Sequence, residues 1–266
     1  MKILNKIIII VIAVTGLYAT FLITSDLSII SEKISSFKIG FLPIIISLVT
    51  SGWFVIFVRW HLLLKNSKIF IPKKDSLLIF FSGFALAVIP GKAGDLIKSQ
   101  LLKTKFGIPR SKTVPIVILE QLYTVIGLVF LSFFGIWYFE LGMYVIGFFI
   151  ALLVFVFILI SSRKIFNKVV LLLEKWKYTS KFVEPLSSSY DTIKKSIRGP
   201  IAFYASALTI IYWLIETIVV YFTLLAFGID SIEFLKVIPT YTTSLMLGFL
   251  SFIPMGVGVV EGSLAS

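Results

Sequence analysis

The sequence predicts an all-α, polytopic transmembrane helical bundle, and three observations point there. Hydrophobic residues make up 58% of the 266 residues and charged residues 14%, against about 45–50% and about 25% in ordinary soluble domains. Mean hydropathy is +1.04. The apolar residues are also gathered into long runs: Ile7–Ile23, Gly40–Leu64, Val114–Tyr138, Tyr144–Ile160 and Ile201–Phe227. Each reaches the roughly 17 residues that cross a bilayer. Only a helix satisfies its own backbone hydrogen bonds in hydrocarbon, so these runs are predicted helices. Residues 1–266 therefore read as a single integral membrane domain, with too little water-soluble sequence for a separate catalytic domain.

Lys2 and Lys6 precede the first run, as in a signal peptide, but the run exceeds a signal core of about 7–15 residues. It has no small-x-small cleavage site before Ser25 and is read as an uncleaved anchor. With the N-terminus in the cytoplasm, residues 65–76 face inward and carry Lys65, Lys68, Lys73 and Lys74. The next apolar stretch, Leu77–Ile89, is only 13 residues long and stops at Pro90-Gly91. If it crossed, the basic residues from Lys92 to Lys112 would lie outside, against the positive-inside rule. The prediction is a re-entrant hairpin that returns as a short amphipathic helix near residues 93–104. Lys98 and Lys175 are then cytoplasmic.

Val114–Tyr138 runs outward and Tyr144–Ile160 back. Residues 163–199 form a cytoplasmic loop with nine Lys or Arg. Ile165, Val169, Leu172 and Trp176 repeat at helical spacing, as do Val183, Leu186, Tyr190, Ile193 and Ile197. Both stretches are predicted to lie as amphipathic helices on the inner leaflet. After Ile201–Phe227, a second broken segment, Val237–Ile253, stops at Pro254. Gly83-Phe84 to Ile89-Pro90 is echoed by Gly248-Phe249 to Ile253-Pro254, each followed by glycines and a carboxylate, Asp95 or Glu261. Interrupted segments at matching places in inverted halves point to a transporter-type site. The expected repeat has one unit at about 7–138 and a second at about 143–266. The second lacks its last span, so the repeat predicts one more crossing beyond Ser266.

The sharpest local feature is Pro90-Gly91-Lys92-Ala93-Gly94-Asp95, followed by Lys98. A helix starting after such a break offers free N–H groups and a positive dipole end to an anion, and Lys92 adds a charge. The bland alternative is a plain helix start with solvated lysines. Asp95 lies three residues from both Lys92 and Lys98, so intrahelical pairing is equally available. Glu120 and Glu216 lie within apolar runs, where ionisable residues are costly and functional or paired. Arg59, near the inner boundary, is expected to snorkel, and the single histidine, His61, reads as an interfacial residue. Gly256-x-Gly258-x-x-Glu261 has the outline of a dinucleotide fingerprint but follows a membrane segment rather than a soluble βαβ unit.

The chain contains no cysteine, which excludes thiolate nucleophiles and zinc-thiolate sites. No catalytic motif or cofactor site is recognised, which favours a non-enzyme. The net charge of +12 falls between the spans, so it suits anionic lipid headgroups rather than nucleic acid.

At these motifs the sequence resembles the transmembrane family of lysylphosphatidylglycerol synthases, flippase-like integral membrane proteins. The family's Pro-Gly-Arg-x-Gly-Glu pattern, followed by a basic residue, resembles Pro90, Gly91, Lys92, Gly94, Asp95 and Lys98. Its Glu-Arg-Leu motif resembles Glu120, Gln121 and Leu122, with the arginine replaced. Its late glycine motif resembles Pro254, Gly256, Gly258, Glu261 and Gly262, with Met255 in place of a glycine. The resemblance implies a module that moves a modified or glycosylated lipid between leaflets of a prokaryotic plasma membrane, without the soluble aminoacyltransferase domain of multidomain relatives. An anionic or sugar-bearing headgroup would bind Pro90 to Lys98, and Glu120, Glu216, Pro254, Gly256, Gly258 and Glu261 would line its path. The rival readings are a membrane-embedded transferase acting on a lipid-linked sugar, and a scaffold holding a partner enzyme on loop 163–199. A homo-oligomer is compatible with each.

Overall fold

The computed structural model describes residues 16, 34–85, 94–135, 140–175, 183–251, 256 and 258–265. Among them every regular element is helical. The predicted span Ile7–Ile23 and residues Pro90, Gly91, Lys92 and Pro254 lie outside the described set, as does the side chain of Glu261.

The helices are α1 (Leu42–Asn66), α2 (Lys73–Ala85), α3 (Leu96–Phe106), α4 (Arg110–Ser132), α5 (Glu140–Ser161), α6 (Arg163–Glu174), α7 (Val183–Ser196), α8 (Gly199–Ala226), α9 (Phe234–Leu250) and α10 (Val259–Ala265). Four are long and apolar enough to cross a membrane, beginning at Ile39, Arg110, Met143 and Gly199. The chain is thus a multi-pass helical membrane protein.

The centre is α4. Over its most apolar stretch 61% of residues are buried, against 11–22% in the other three spans. It packs on α1, α3, α5, α7, α8 and α9. Its buried polar residues recur at helical spacing and reach three neighbouring helices. Thr113 meets Ser99 of α3, Glu120 meets Lys98 of α3, Thr124 meets Arg59 of α1, and Ser132 donates to Thr242 of α9 at 2.8 Å. At Gly127 a Cβ would stand 2.7 Å from Thr209 of α8, so the missing side chain lets the two spans approach.

The stretch between the second pair of spans, expected to lie on a membrane surface, departs from expectation. The apolar stripe of α7 does not lie on lipid: Tyr190 and Ile193 are buried, and α7 packs along α4. Tyr190 donates to the Ile160 carbonyl at 2.9 Å, Asn66 reaches Ser196 at 2.8 Å, and Tyr123 bonds the Ser196 carbonyl at 2.5 Å. The amphipathic pattern was sound, but its partner is protein. Helix α6 splits its apolar residues: Phe166 and Val170 pack on Tyr190 while Ile165, Leu171 and Leu172 stay exposed.

Helices α2 and α3 run antiparallel, because contacts tie both ends. Lys105 pairs with Asp75 at one end, and Gly83 abuts Asp95 and Lys98 at the other. The short helix extends over 96–106 rather than 93–104. Gly107, with φ +66°, closes it, a left-handed conformation that favours glycine.

Candidate functional site

The polar centre of the protein lies where α1, α3 and α4 meet, inside the apolar bundle. Glu120 stands ten residues into α4, about 15 Å along the axis. The Lys98 ammonium lies 2.7 Å from Glu120 Oε2 and 3.1 Å from Asp95 Oδ1. Lys98 and Glu120 are each only 4% exposed, so water does not screen the pair. The rings of Trp60 and Phe80 pack around the ammonium, 5.1 and 5.9 Å from their centroids. The aromatic faces add cation–π attraction that is strongest where water is excluded.

Asp95 opens α3, where an aspartate commonly caps the first free N–H groups. Here it makes no such cap. Its carboxylate is diverted sideways, taking Lys98 on one oxygen and the Gln121 amide at 2.7 Å on the other. Glu120 and Gln121 are adjacent on α4 and therefore point about 100° apart. One reaches the cation and the other reaches its second counter-ion. The position at which the family pattern carries arginine thus supplies a neutral donor to Asp95, while Glu120 finds its cation in Lys98. A Cβ on Gly83 would fall 2.5 Å from Asp95 Oδ1, so glycine is what lets α2 close over this arrangement.

Arg59 corrects its expectation. It does not snorkel: it is 5% exposed, and its guanidinium donates to Thr209 of α8 at 2.8 Å, with a longer contact of 3.5 Å to Thr124. Among the described residues no carboxylate pairs with it directly. The hydroxyls hold the group, and Glu120 and Asp95 act on it through space. Arg59 and Lys98 against Asp95 and Glu120 make the centre neutral in sum, which is how four charges are tolerated at this depth.

Glu216 belongs to a separate place, the seam between α1 and α8. Tyr212 lies one turn before it on α8, and Gly52 of α1 faces both, a Cβ there standing 3.5 Å from Glu216 Oε1 and from the Tyr212 ring. The described hydrogen bonds do not join Glu216 to the Lys98 centre.

At the second broken segment Gly256 and Gly258 adopt left-handed φ of +70° and +81°. A Cβ on Gly248 would stand 2.7 Å from Val260. Gly83 and Gly248, the paired glycines of the sequence echo, thus do the same job at the ends of α2 and α9. Of the predicted site residues, the structure brings together Asp95, Lys98 and Glu120, with Gly94 beginning the same turn. Sequence reading missed Trp60, Gln121 and the burial of Arg59. The signal for Arg59 was present, since it lies seven residues before the end of α1, about 10 Å inside the helix.

Searches among curated proteins and among solved structures each returned no match. A family model described as the lysylphosphatidylglycerol synthase TM region matches residues 7–266, nearly the whole length, and the chain accordingly belongs to that family.

Proposed function

We propose that this protein translocates a lipid with an anionic or a sugar- or aminoacyl-modified headgroup between membrane leaflets. The aminoacylated phosphatidylglycerol in the family's name is one lipid of that class. The observation that carries the reading is the Lys98–Asp95–Glu120 centre with Arg59, a dense cluster of charge at the base of the first antiparallel pair. A polar headgroup needs a protein-lined polar route through hydrocarbon, and Lys98 and Arg59 place two cations at that depth.

In this reading α2–α3 and α9–α10 are re-entrant hairpins of an inverted repeat, entering from opposite faces. The N-terminus is cytoplasmic, and the membrane is the plasma membrane of a prokaryote. The headgroup enters at Lys92 and the hairpin N–H groups, and Glu120, Glu216 and Glu261 shape its path.

The test is leaflet accessibility of a labelled lipid in proteoliposomes, with folding checked by gel filtration. A charge-assisted contact contributes about 1.5–3 kcal/mol, so Lys92→Ala should slow transport about ten- to a hundred-fold, and Lys92→Arg should keep much of it. If Lys92→Ala and Glu261→Gln both move lipid at the unmodified rate, the path is wrong and a scaffold becomes the better reading. A chemically altered headgroup after incubation would favour a transferase.

A further inference from the structure

We propose that Glu216, with Tyr212, is a proton-binding site inside the membrane whose loading and unloading drives the lipid step; the coupling rests on the translocation reading, the site itself does not. Glu216 lies seventeen residues into the 28-residue helix α8, far from both ends. An ionised carboxylate at such a place is stabilised by a cation or by several donors. Glu120 shows what that looks like in this protein, with Lys98 at 2.7 Å. Glu216 has a different setting. Among the described residues it takes part in no ion pair, and the polar side chain that shares its contact with Gly52 is the neutral phenol of Tyr212.

The groups facing Glu216 are few. Its own helix brings Tyr212 one turn away. Helix α1 brings Gly52, with Arg59 two turns further on, acting on Tyr212 rather than on Glu216. Helix α9 brings Tyr241. No described cation acts on the carboxyl group. On the α1 side the carboxyl group meets Gly52, where even an added Cβ would stand in ordinary contact with Glu216 Oε1 at 3.5 Å, and a proton is the counter-charge we assign to it.

The position suits a coupling role. The α1–α8 contact is the most extensive between any two described helices, and its polar residues form one line: Arg59 on Thr209, then Tyr212, then Glu216. With the proton on, the line presents no net negative charge and the helices close on Gly52. With the proton off, one negative charge faces a glycine in an apolar seam, and the seam admits water or a rearranged Arg59. No bond other than the O–H bond is made or broken.

The experiment uses the full chain in liposomes and two readouts. Infrared difference spectra between acidic and alkaline buffer should show a protonated-carboxyl stretch. That band should be absent in Glu216→Gln, shifted in Tyr212→Phe, and unchanged in Asp230→Asn, which alters an exposed loop carboxyl. Lipid movement should respond to an imposed pH difference, by up to about tenfold per pH unit for a one-proton step, and Glu216→Gln should abolish the response. Survival of the band in Glu216→Gln overturns the site. An unmodified chain that moves lipid equally with and without the gradient overturns the coupling. If no lipid moves under any condition but the band is lost in Glu216→Gln, the proton site stands and the translocation reading falls.

Discussion

The first antiparallel pair, α2 with α3, is tied to α4 mainly through charges, whereas α9 reaches the same helix through hydroxyls and a buried methionine. At α3 the contacts are Lys98 to Glu120 and Asp95 to Gln121, with the hydroxyls of Ser99 and Thr113 meeting beside them. At α9 they are Ser132 to Thr242 and to Met246, while Gly248 packs on Gly256 and Val260 instead. A charged anchorage is strong only while every partner is present, because a single buried charge is far costlier than a matched pair. It is also one that a competing ion can exchange. A neutral anchorage degrades in small steps and has nothing to exchange. On the proposed translocation, α3 is expected to be the part that changes partners and α9 the part that holds position.

The largest effect should come from splitting the pair. Lys98→Met leaves Glu120 and Asp95 buried without their cation, and unfolding in an SDS titration should show a loss of about 3–5 kcal/mol. Lys98→Met combined with Glu120→Gln should recover much of that loss. If the double variant is no better than the single one, Lys98 packs rather than pairs.

The next effect compares the two glycines. Gly83→Ala and Gly248→Ala each overpack a tight contact and should cost about 1–3 kcal/mol in the same titration. Their rescue should differ. At Gly248 the nearest atom is the Val260 methyl, so Val260→Ala should restore most of the stability. At Gly83 it is the Asp95 oxygen held by Lys98, on a carboxylate whose other oxygen is held by Gln121, and Val260→Ala should do nothing.

The smallest effect separates buried hydroxyls from exposed charges. Ser132→Ala removes one buried hydrogen bond and should cost about 1 kcal/mol. Arg163→Ala breaks an ion pair whose partners are 61% and 74% exposed, and should change stability by about 0–1 kcal/mol. A larger loss for Arg163→Ala than for Ser132→Ala would reverse this ranking.

The four described spans were legible in the sequence, since apolar run length is local. The helical spacing of Val183, Tyr190 and Ile193 was equally legible, but an apolar stripe carries no label for lipid or protein. Only the approach of α4 decided that Tyr190 and Ile193 are buried in protein. At the candidate site, Asp95 and Lys98 could be paired from their spacing. Glu120 could not be added, because a left-handed Gly107 and the turn to Arg110 stand between. Arg59 was misplaced because snorkelling depends on which side of the helix meets the headgroups, and α4 and α8 occupy that side.

By itself the sequence determined that the chain enters a membrane and roughly where its long helices run. These follow from each segment's own transfer from water and its own backbone hydrogen bonds, which need no neighbour. Tertiary structure alone decided that α4 is the centre, that four charges cancel around Lys98, and that Glu216 stands apart from them. Charge pairing depends on separation in space and on the exclusion of water. Both are set by which helices lie side by side, and no periodicity along the chain encodes that.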